Sequence, residues 1–197
     1  MGAGALTLAG AGAAYLGLRR DMGTMDEYNA AMAATRAALK QTPETHAIIA
    51  GATLAANGHN TQPWRFRVGE QRITILPDLS RRTPVVDPDD HHLFASLGCA
   101  AENLALAAAG RGRPGELGFE PAGDGSITFA FGNGPAIGSL LSDAIPKRQS
   151  TRADYDGRPV GASDLQALAA AASAVPRVGL ILFTDPAQIG RIRGFVV

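Results

Sequence analysis

Two short segments carry the side chains best suited to binding a polar ligand. The first is 56–64, which reads Ala-Asn-Gly-His-Asn-Thr-Gln-Pro-Trp and lies between an apolar run and a strand-like pattern. Asn and Gln each carry a donor and an acceptor, so they suit a ligand edge that offers both. Composition alone favours a plainer interpretation, a helix end followed by an ordinary turn.

The second segment is 147–152, which reads Lys-Arg-Gln-Ser-Thr-Arg. Side chains alternate along extended backbone, so Arg148, Ser150 and Arg152 would point the same way. Two guanidinium groups and a hydroxyl on one face suit a phosphate monoester, which Arg can bind in a bidentate manner. The alternative is a solvated basic patch, the usual fate of a short basic run.

Composition indicates a globular protein and limits its partners. Hydrophobic residues make up 46% of the chain, aromatic residues 6% and charged residues 18%, so the core must be built largely from Ala, Leu, Val and Ile. Eighteen basic and eighteen acidic residues cancel, which leaves no overall positive field to attract nucleic acid. We therefore expect no nucleic-acid partner and only local anion recognition.

Neither the single cysteine nor the histidines predict a reactive or metal site. Cys99 cannot form an internal disulfide and lies in an apolar helical run, so we expect it in the core. The run 87–92 reads Asp-Pro-Asp-Asp-His-His, and adjacent histidines point apart on a helix. Acidic residues before a helix more often cap it, so we predict no metal site.

Hydrophobic patterning predicts an α+β fold, because helices mix with hairpins instead of alternating with single strands. Two hairpins are expected, one pairing 64–68 with 72–76 and one pairing 117–119 with 127–131. A further strand is expected at 178–184. The predicted helices span 26–40 with Thr24 as N-cap, 43–55 with Thr42 as N-cap, 92–109, 137–145, 163–174 and a stretch from Pro186.

A faint internal repeat suggests two modules. Helix, loop and strand across 46–68 are echoed by helix, loop and strand across 163–183. The predicted domains are an apolar segment at 1–20, a first module at 21–134 and the beginning of a second module at 135–197. Gly98 and Ala101 in the long helix are small enough to let another helix approach closely.

The N-terminal residues 1–18 carry no charge and include five Gly and six Ala. Three interpretations stay open: a signal-type segment, a short membrane anchor that would tether the chain, or a frayed Ala/Gly helix. We favour the first and expect an apolar helix apart from the core. If this segment acts as a signal, we expect the chain to be membrane-associated or exported. Otherwise we expect it in the cytoplasm.

Taken together, the two polar segments resemble a known family. Asn-x-Gln-Pro-Trp at 60–64 with Arg-x-Ser-x-Arg at 148–152 resembles the FMN-dependent nitroreductase superfamily. The runs 96–98 and 102–108 are similar to the long central helix of that fold, and 80–89 is similar to the Acg branch of FMN-binding oxidoreductases. That branch fuses two nitroreductase-like modules in one chain, so the resemblance implies a first module and the start of a second in a truncated chain.

The resemblance also implies a fold and a binding site. The fold is a mixed or antiparallel sheet flanked by helices, and the cofactor is FMN. Arg148, Ser150 and Arg152 would bind its phosphate, while Asn60 and the backbone of Asn57 and Gly58 would face its pyrimidine edge. Gln62 belongs to the same loop and, with Pro63 and Trp64, would shape it.

The implied activity is transfer of a hydride from NADH or NADPH to flavin and on to a nitroaromatic or quinone-like acceptor. No catalytic side chain is identified, because the cofactor performs this chemistry. An FMN-sequestering protein without turnover and an inactive truncated fragment are the alternatives. One module would supply the ring side and the other the phosphate side, within one fused chain as a pseudo-dimer or in a homodimer.

Overall fold

A computed structural model describes residues 24–38, 44–150, 154–173, 175 and 178–196. The chain divides into two compact units, Met1–Ser150 and Thr151–Val197. This division falls at 150/151, whereas the sequence predicted a module boundary at 134/135. The assignment of the two parts to nitroreductase-like modules stays a prediction.

The first unit is an α+β structure built on a four-stranded antiparallel sheet. The strands are β1 Trp64–Gly69, β2 Arg72–Pro77, β3 Gly115–Phe119 and β4 Ile127–Phe131, in the order β1-β2-β4-β3. Both predicted hairpins are confirmed, because β1 pairs with β2 and β3 pairs with β4. The helices of this unit are α1 Met25–Ala38, α2 Glu44–Thr53, α3 His91–Ala109 and α4 Leu140–Ala144.

One long helix organises the core. Helix α3 packs against α2 on one side and against β2, β3 and β4 on the other. Ile73, Ile75 and Phe129 from the sheet are at most 1% exposed, as are Leu97 and Leu104 from α3. The apolar face predicted for this helix is therefore the centre of the first unit.

The closest helix–helix approach lies at Gly51 of α2. A Cβ atom built there would lie 2.9 Å from Cβ of Ala107, so only glycine lets α2 pack this closely on α3. The prediction for Gly98 is wrong within the described residues, because none of their atoms lies within 4 Å of its Cβ position. Ala101, named in the same prediction, is buried in the core. Side-chain size alone did not indicate which face of α3 meets α2.

Helix α3 is long and apolar enough, by length and composition alone, to cross a membrane. Eight of its 19 residues are buried inside the protein, which is the pattern of a core helix. Cys99, expected in the core, is exposed instead. It follows the buried Leu97 by two positions, and two residues correspond to about 200° around a helix, away from the core.

The start of α1 confirms the predicted cap. The backbone N–H of Glu27 donates to Oγ1 of Thr24 at 3.1 Å, and the N–H of Thr24 donates to the Glu27 carboxylate at 2.6 Å. This reciprocal pair is a capping box. The predicted cap of α2, Thr42, and the predicted helix at 1–18 lie outside the described residues.

The second unit contains helices α5 Ala162–Ser173 and α6 Pro186–Val196. The strand predicted at 178–184 is wrong: among the described residues these seven pair with no neighbour, and Ile181 is 76% exposed. A strand needs a hydrogen-bonding partner, and a local apolar pattern does not specify one. The proposed repeat therefore keeps its helix but lacks the strand that would match β1.

Candidate functional site

The loop 57–63 between α2 and β1 is fixed by its own hydrogen bonds. The side chain of Asn57 accepts from the backbone N–H of Gln62 at 2.9 Å and donates to the carbonyl of Ala55 at 3.2 Å. Both the N–H and the hydroxyl of Thr61 donate to the carbonyl of Gly58, at 3.1 and 2.9 Å. Asn57 thus closes the loop on itself.

Three non-glycine residues of this loop have left-handed backbone. The φ angles are +50° at His59, +56° at Asn60 and +50° at Gln62. Asn tolerates this region, whereas His and Gln enter it at a cost of order 1 kcal/mol each. The surrounding hydrogen bonds hold the loop in this shape, so its exposed side chains project from a strained but fixed backbone.

The segment after β2 supports the loop from below. Asp78 donates its N–H to the carbonyl of Pro63 at 3.0 Å, and Arg81 donates to the carbonyl of Thr61 at 3.0 Å. The hydrogen bond from the Ser80 hydroxyl is the largest influence on the pKa of Asp78 and lowers it, while burial acts in the opposite direction. The Ser80 backbone N–H and the positive charges of Arg65 and Arg81 lower the pKa further. Asp78 is therefore a stable anion beside two arginines.

The N-terminus of α3 locks onto the other side of the loop. Ser96 accepts a hydrogen bond from the N–H of Gly58 at 3.1 Å and donates to the carbonyl of His92 at 2.6 Å. This bond uses the Gly58 N–H, one of the groups predicted to face the flavin. Asn57 and Gly58 hence have structural bonds here, while their assignment to the flavin stays a prediction.

Asp87 caps the N-terminus of α3, although it lies four residues before the helix begins at His91. The sequence predicted this capping role for the acidic residues of 87–92. Its carboxylate accepts from the N–H groups of His92 and Leu93, each at 3.0 Å, and lies 3.0 Å from Nδ1 of His92. Burial acts to raise the pKa of Asp87, but these hydrogen bonds together outweigh it and lower the pKa. No group of three or more metal-ligating side chains occurs in the part of the chain that the structure describes.

Asn60 and Gln62 are the loop's exposed amide side chains. Neither amide bonds to protein within the described residues. Pro63 and Trp64 are buried beneath them, with Trp64 7% exposed. The prediction that these two residues shape the loop is consistent with their burial.

Arg148 lies close to the same loop. It follows α4, and its Nη2 donates to the carbonyl of Leu54 at 2.9 Å, three residues before Asn57. A guanidinium has five N–H donors, so this bond leaves others for a ligand. Ser150 is exposed, and Arg152 lies outside the described residues. Sequence spacing did not indicate the Arg148–Leu54 contact, which joins residues 94 positions apart.

A groove of about 410 Å³ is lined by residues of α2, α3 and the segment around α4, up to Lys147. Its floor contains Ala47 and Gly51 of α2 and Ala107 of α3, and Lys147 and Asp143 stand at its rim. Sequence reasoning did not find the groove, because its small floor residues carry no chemical signature.

The chain is similar to curated proteins from Mycobacterium tuberculosis. No family model matches it. It is 28% identical over 164 residues to "Putative NAD(P)H nitroreductase Rv3131" of strain H37Rv and, equally, to "Putative NAD(P)H nitroreductase MT3217" of strain CDC 1551. These names support the nitroreductase superfamily. The match covers 78% of this chain and 46% of each relative, so the chain spans about half the length of the relatives it matches.

Proposed function

We propose that this chain is the flavin-binding part of a nitroreductase-type oxidoreductase of the Acg branch. It would bind one FMN and pass reducing equivalents from NADH or NADPH to a nitroaromatic or quinone-like acceptor. The observation that carries the proposal is the fixed loop 57–63, in which the amides of Asn60 and Gln62 make no bond within the described residues. The guanidinium of Arg148 bonds to the carbonyl of Leu54, three residues before this loop. The names of the mycobacterial relatives support the same class of reaction.

The chemistry of this donor set fits FMN. The pyrimidine edge of a flavin alternates carbonyl acceptors with an N–H donor, and the amides of Asn60 and Gln62 can answer both. The phosphate carries two negative charges at most, which Arg148 and the Ser150 hydroxyl can meet with charge-assisted bonds. Arg152 keeps its predicted phosphate role from the sequence motif alone.

The bound cofactor would supply hydride transfer, and the protein would position it. Asn57, Thr61 and Arg81 hold the loop, so that Asn60 and Gln62 need not be ordered on binding. A preorganised site lowers the entropy cost of binding. Buried Trp64 keeps the start of β1 fixed beneath the loop.

A flavin titration followed by a turnover assay tests this function. The purified chain is titrated with FMN while the visible absorbance and flavin fluorescence are recorded. NADPH or NADH oxidation is then followed with 2-methyl-1,4-naphthoquinone and with a nitroaromatic acceptor. We expect saturable binding with a shifted flavin spectrum, and acceptor-dependent turnover.

The variant N60A sharpens this test, with H59A as the matched control from the same loop. N60A should shift the spectrum of bound flavin and weaken binding by less than about tenfold, the loss expected for one hydrogen bond. H59A should leave the spectrum unchanged. Binding without turnover would favour FMN sequestration, and absence of binding would contradict the proposal.

A further inference from the structure

His92 has an orientation that the binding site described above does not require. Its Nδ1 lies 3.0 Å from Oδ1 of Asp87, whose side chain is only 5% exposed. The pKa of Asp87 is lowered, so this carboxylate is ionised and can only accept hydrogen bonds. The shared proton therefore sits on Nδ1 of His92, which leaves Nε2 as the atom of the imidazole that can exchange a proton.

This imidazole lies beside the loop 57–63. A Cβ atom on Gly58 would be 3.5 Å from Cβ of His92, and Ser96 bonds to both residues. Asn60 follows Gly58 by two residues, at most about 7 Å along the chain. The His92 side chain is 67% exposed, so a small molecule above the loop can reach it.

Three sets of titratable or charged side chains surround His92. Asp87 approaches from the preceding loop, and His91 of the same helix stacks edge-on with a ring separation of 5.5 Å. Arg81 and Arg82 line the small cleft that His92 shares with Gly58. Arg82 is neutralised by Asp90 through two hydrogen bonds, at 3.0 and 2.5 Å. Asp87 is thus the anion in direct contact with the imidazole.

We propose that His92 donates a hydrogen bond from Nε2 to an oxygen atom of the electron acceptor and gives that oxygen a proton as the acceptor is reduced. The inference rests on the proposed function, because it needs an acceptor above the loop. Asp87 is the positioning residue that fixes the tautomer, in the way that a buried carboxylate orients a histidine at other sites.

The proton balance is complete for a quinone acceptor. Reduction to the hydroquinone takes two electrons and two protons, of which a hydride delivers both electrons and one proton. The second proton comes from the His92 imidazolium, which carries protons on both nitrogens: the Nε2–H bond breaks and a quinone O–H bond forms. His92 is then neutral, with its remaining proton on Nδ1 facing Asp87, and solvent returns a proton to Nε2.

The test combines a spectroscopic measurement with two matched variants. Long-range ¹H–¹⁵N spectra of the labelled chain should show His92 protonated on Nδ1 when neutral, without any cofactor present. With FMN, NADPH and 2-methyl-1,4-naphthoquinone, H92Q should lower kcat about a hundredfold, the usual contribution of a general acid. Its FMN affinity should stay within twofold. H91Q removes the neighbouring exposed histidine and should behave as wild type.

Three other outcomes would contradict the role of His92 or the proposed function. Turnover by H92Q equal to that of H91Q would overturn the inference while leaving the proposed function intact. A neutral His92 protonated on Nε2 would overturn it as well, because Asp87 would then not set the tautomer. If the wild-type chain shows no turnover at all, the proposed function fails and this inference fails with it.

Discussion

Helices α3 and α5 are built from nearly the same residues but have opposite environments. Helix α3 contains Asn-Leu-Ala-Leu-Ala-Ala-Ala and α5 contains Leu-Gln-Ala-Leu-Ala-Ala-Ala-Ala. Eight residues of α3 are buried, and Leu104 is fully enclosed by α2 and the sheet. None of the residues of α5 is buried, and Leu168 is 51% exposed. The apolar pattern therefore specifies a helix, and only a partner surface makes that helix part of a core.

The loop 57–63 belongs to the unit that contains α3. The loop 57–63 is held by α3, by the segment after β2 and by its own amide bonds. Most of a helix's stability in a protein comes from packing, because isolated helices of this length are marginal in water. We therefore expect the first unit to resist perturbation at exposed sites and to respond strongly at packed ones, and the second to respond weakly everywhere.

Leucine truncation should give the largest difference. L104A removes a side chain with 0% exposure, so we expect it to lower the free energy of unfolding by about 2–5 kcal/mol. L168A in α5 should change it by less than about 0.5 kcal/mol. Urea denaturation measures both: the fluorescence of Trp64, the single tryptophan of the chain, follows the first unit, and far-UV circular dichroism follows the helices of both units. Equal losses would show that α5 is packed as tightly as α3.

Adding one methyl group to a glycine should have opposite effects in the two units. G51A places a Cβ atom 2.9 Å from that of Ala107, and overpacking of this kind costs about 1–3 kcal/mol, which exceeds the gain in helix propensity. G190A in α6 meets nothing within 4 Å and gains about 1 kcal/mol in helix propensity. Denaturation midpoints should fall for G51A, and far-UV circular dichroism should show at least as much helix for G190A. A stabilised G51A would mean that α2 and α3 can separate freely.

Because ionised Asp87 caps α3, the free energy of unfolding should depend on pH. The folded pKa of Asp87 is lowered, so its contribution is fully present above the ordinary aspartate pKa of about 4 and is lost as pH falls through the folded value. D87N should therefore be less stable than wild type at pH 7, and the gap should narrow below pH 4. Denaturation curves at pH 7 and pH 3 measure this.

The matched control is Asp156 in the second unit. Hydrogen bonds from the backbone and side chain of Arg158 lower the pKa of Asp156, yet both groups are exposed. D156N should leave the denaturation curve unchanged at either pH. A gap for D87N that stays constant between pH 7 and pH 3 would contradict the capping role of the ionised carboxylate.

The sequence predicted the local structure of this chain better than its contacts. Local sequence determines three features that the structure confirms: the two hairpins, the Thr24 cap and the apolar stripe of α3. The strand at 178–184 failed because pairing depends on a distant partner. The exposure of Cys99 was missed because the run around it is apolar on nearly every side.

The same distinction between local pattern and distant contact applies to the candidate site. Motif residues Asn60 and Gln62 could be named from the sequence, since their chemistry is local. The contacts that fix their loop could not, because Ser96 lies 38 positions from Gly58 and Arg81 lies 20 from Thr61. His92 carried a signal only as part of an acidic and histidine-rich run, in which its pairing with Asp87 was not visible.

The most direct test of the account is the FMN affinity of R148A beside that of R158A. Arg148 reaches the end of α2 near the loop, whereas Arg158 of the second unit bonds to Asp156. A charge-assisted phosphate contact contributes about 1.5–3 kcal/mol, so R148A should weaken FMN binding by about tenfold to a hundredfold in a fluorescence titration. R158A should bind FMN as wild type does. Equal affinity for R148A and wild type would contradict the assignment of Arg148 to the flavin phosphate, and with it the single site that joins Arg148 to Asn60.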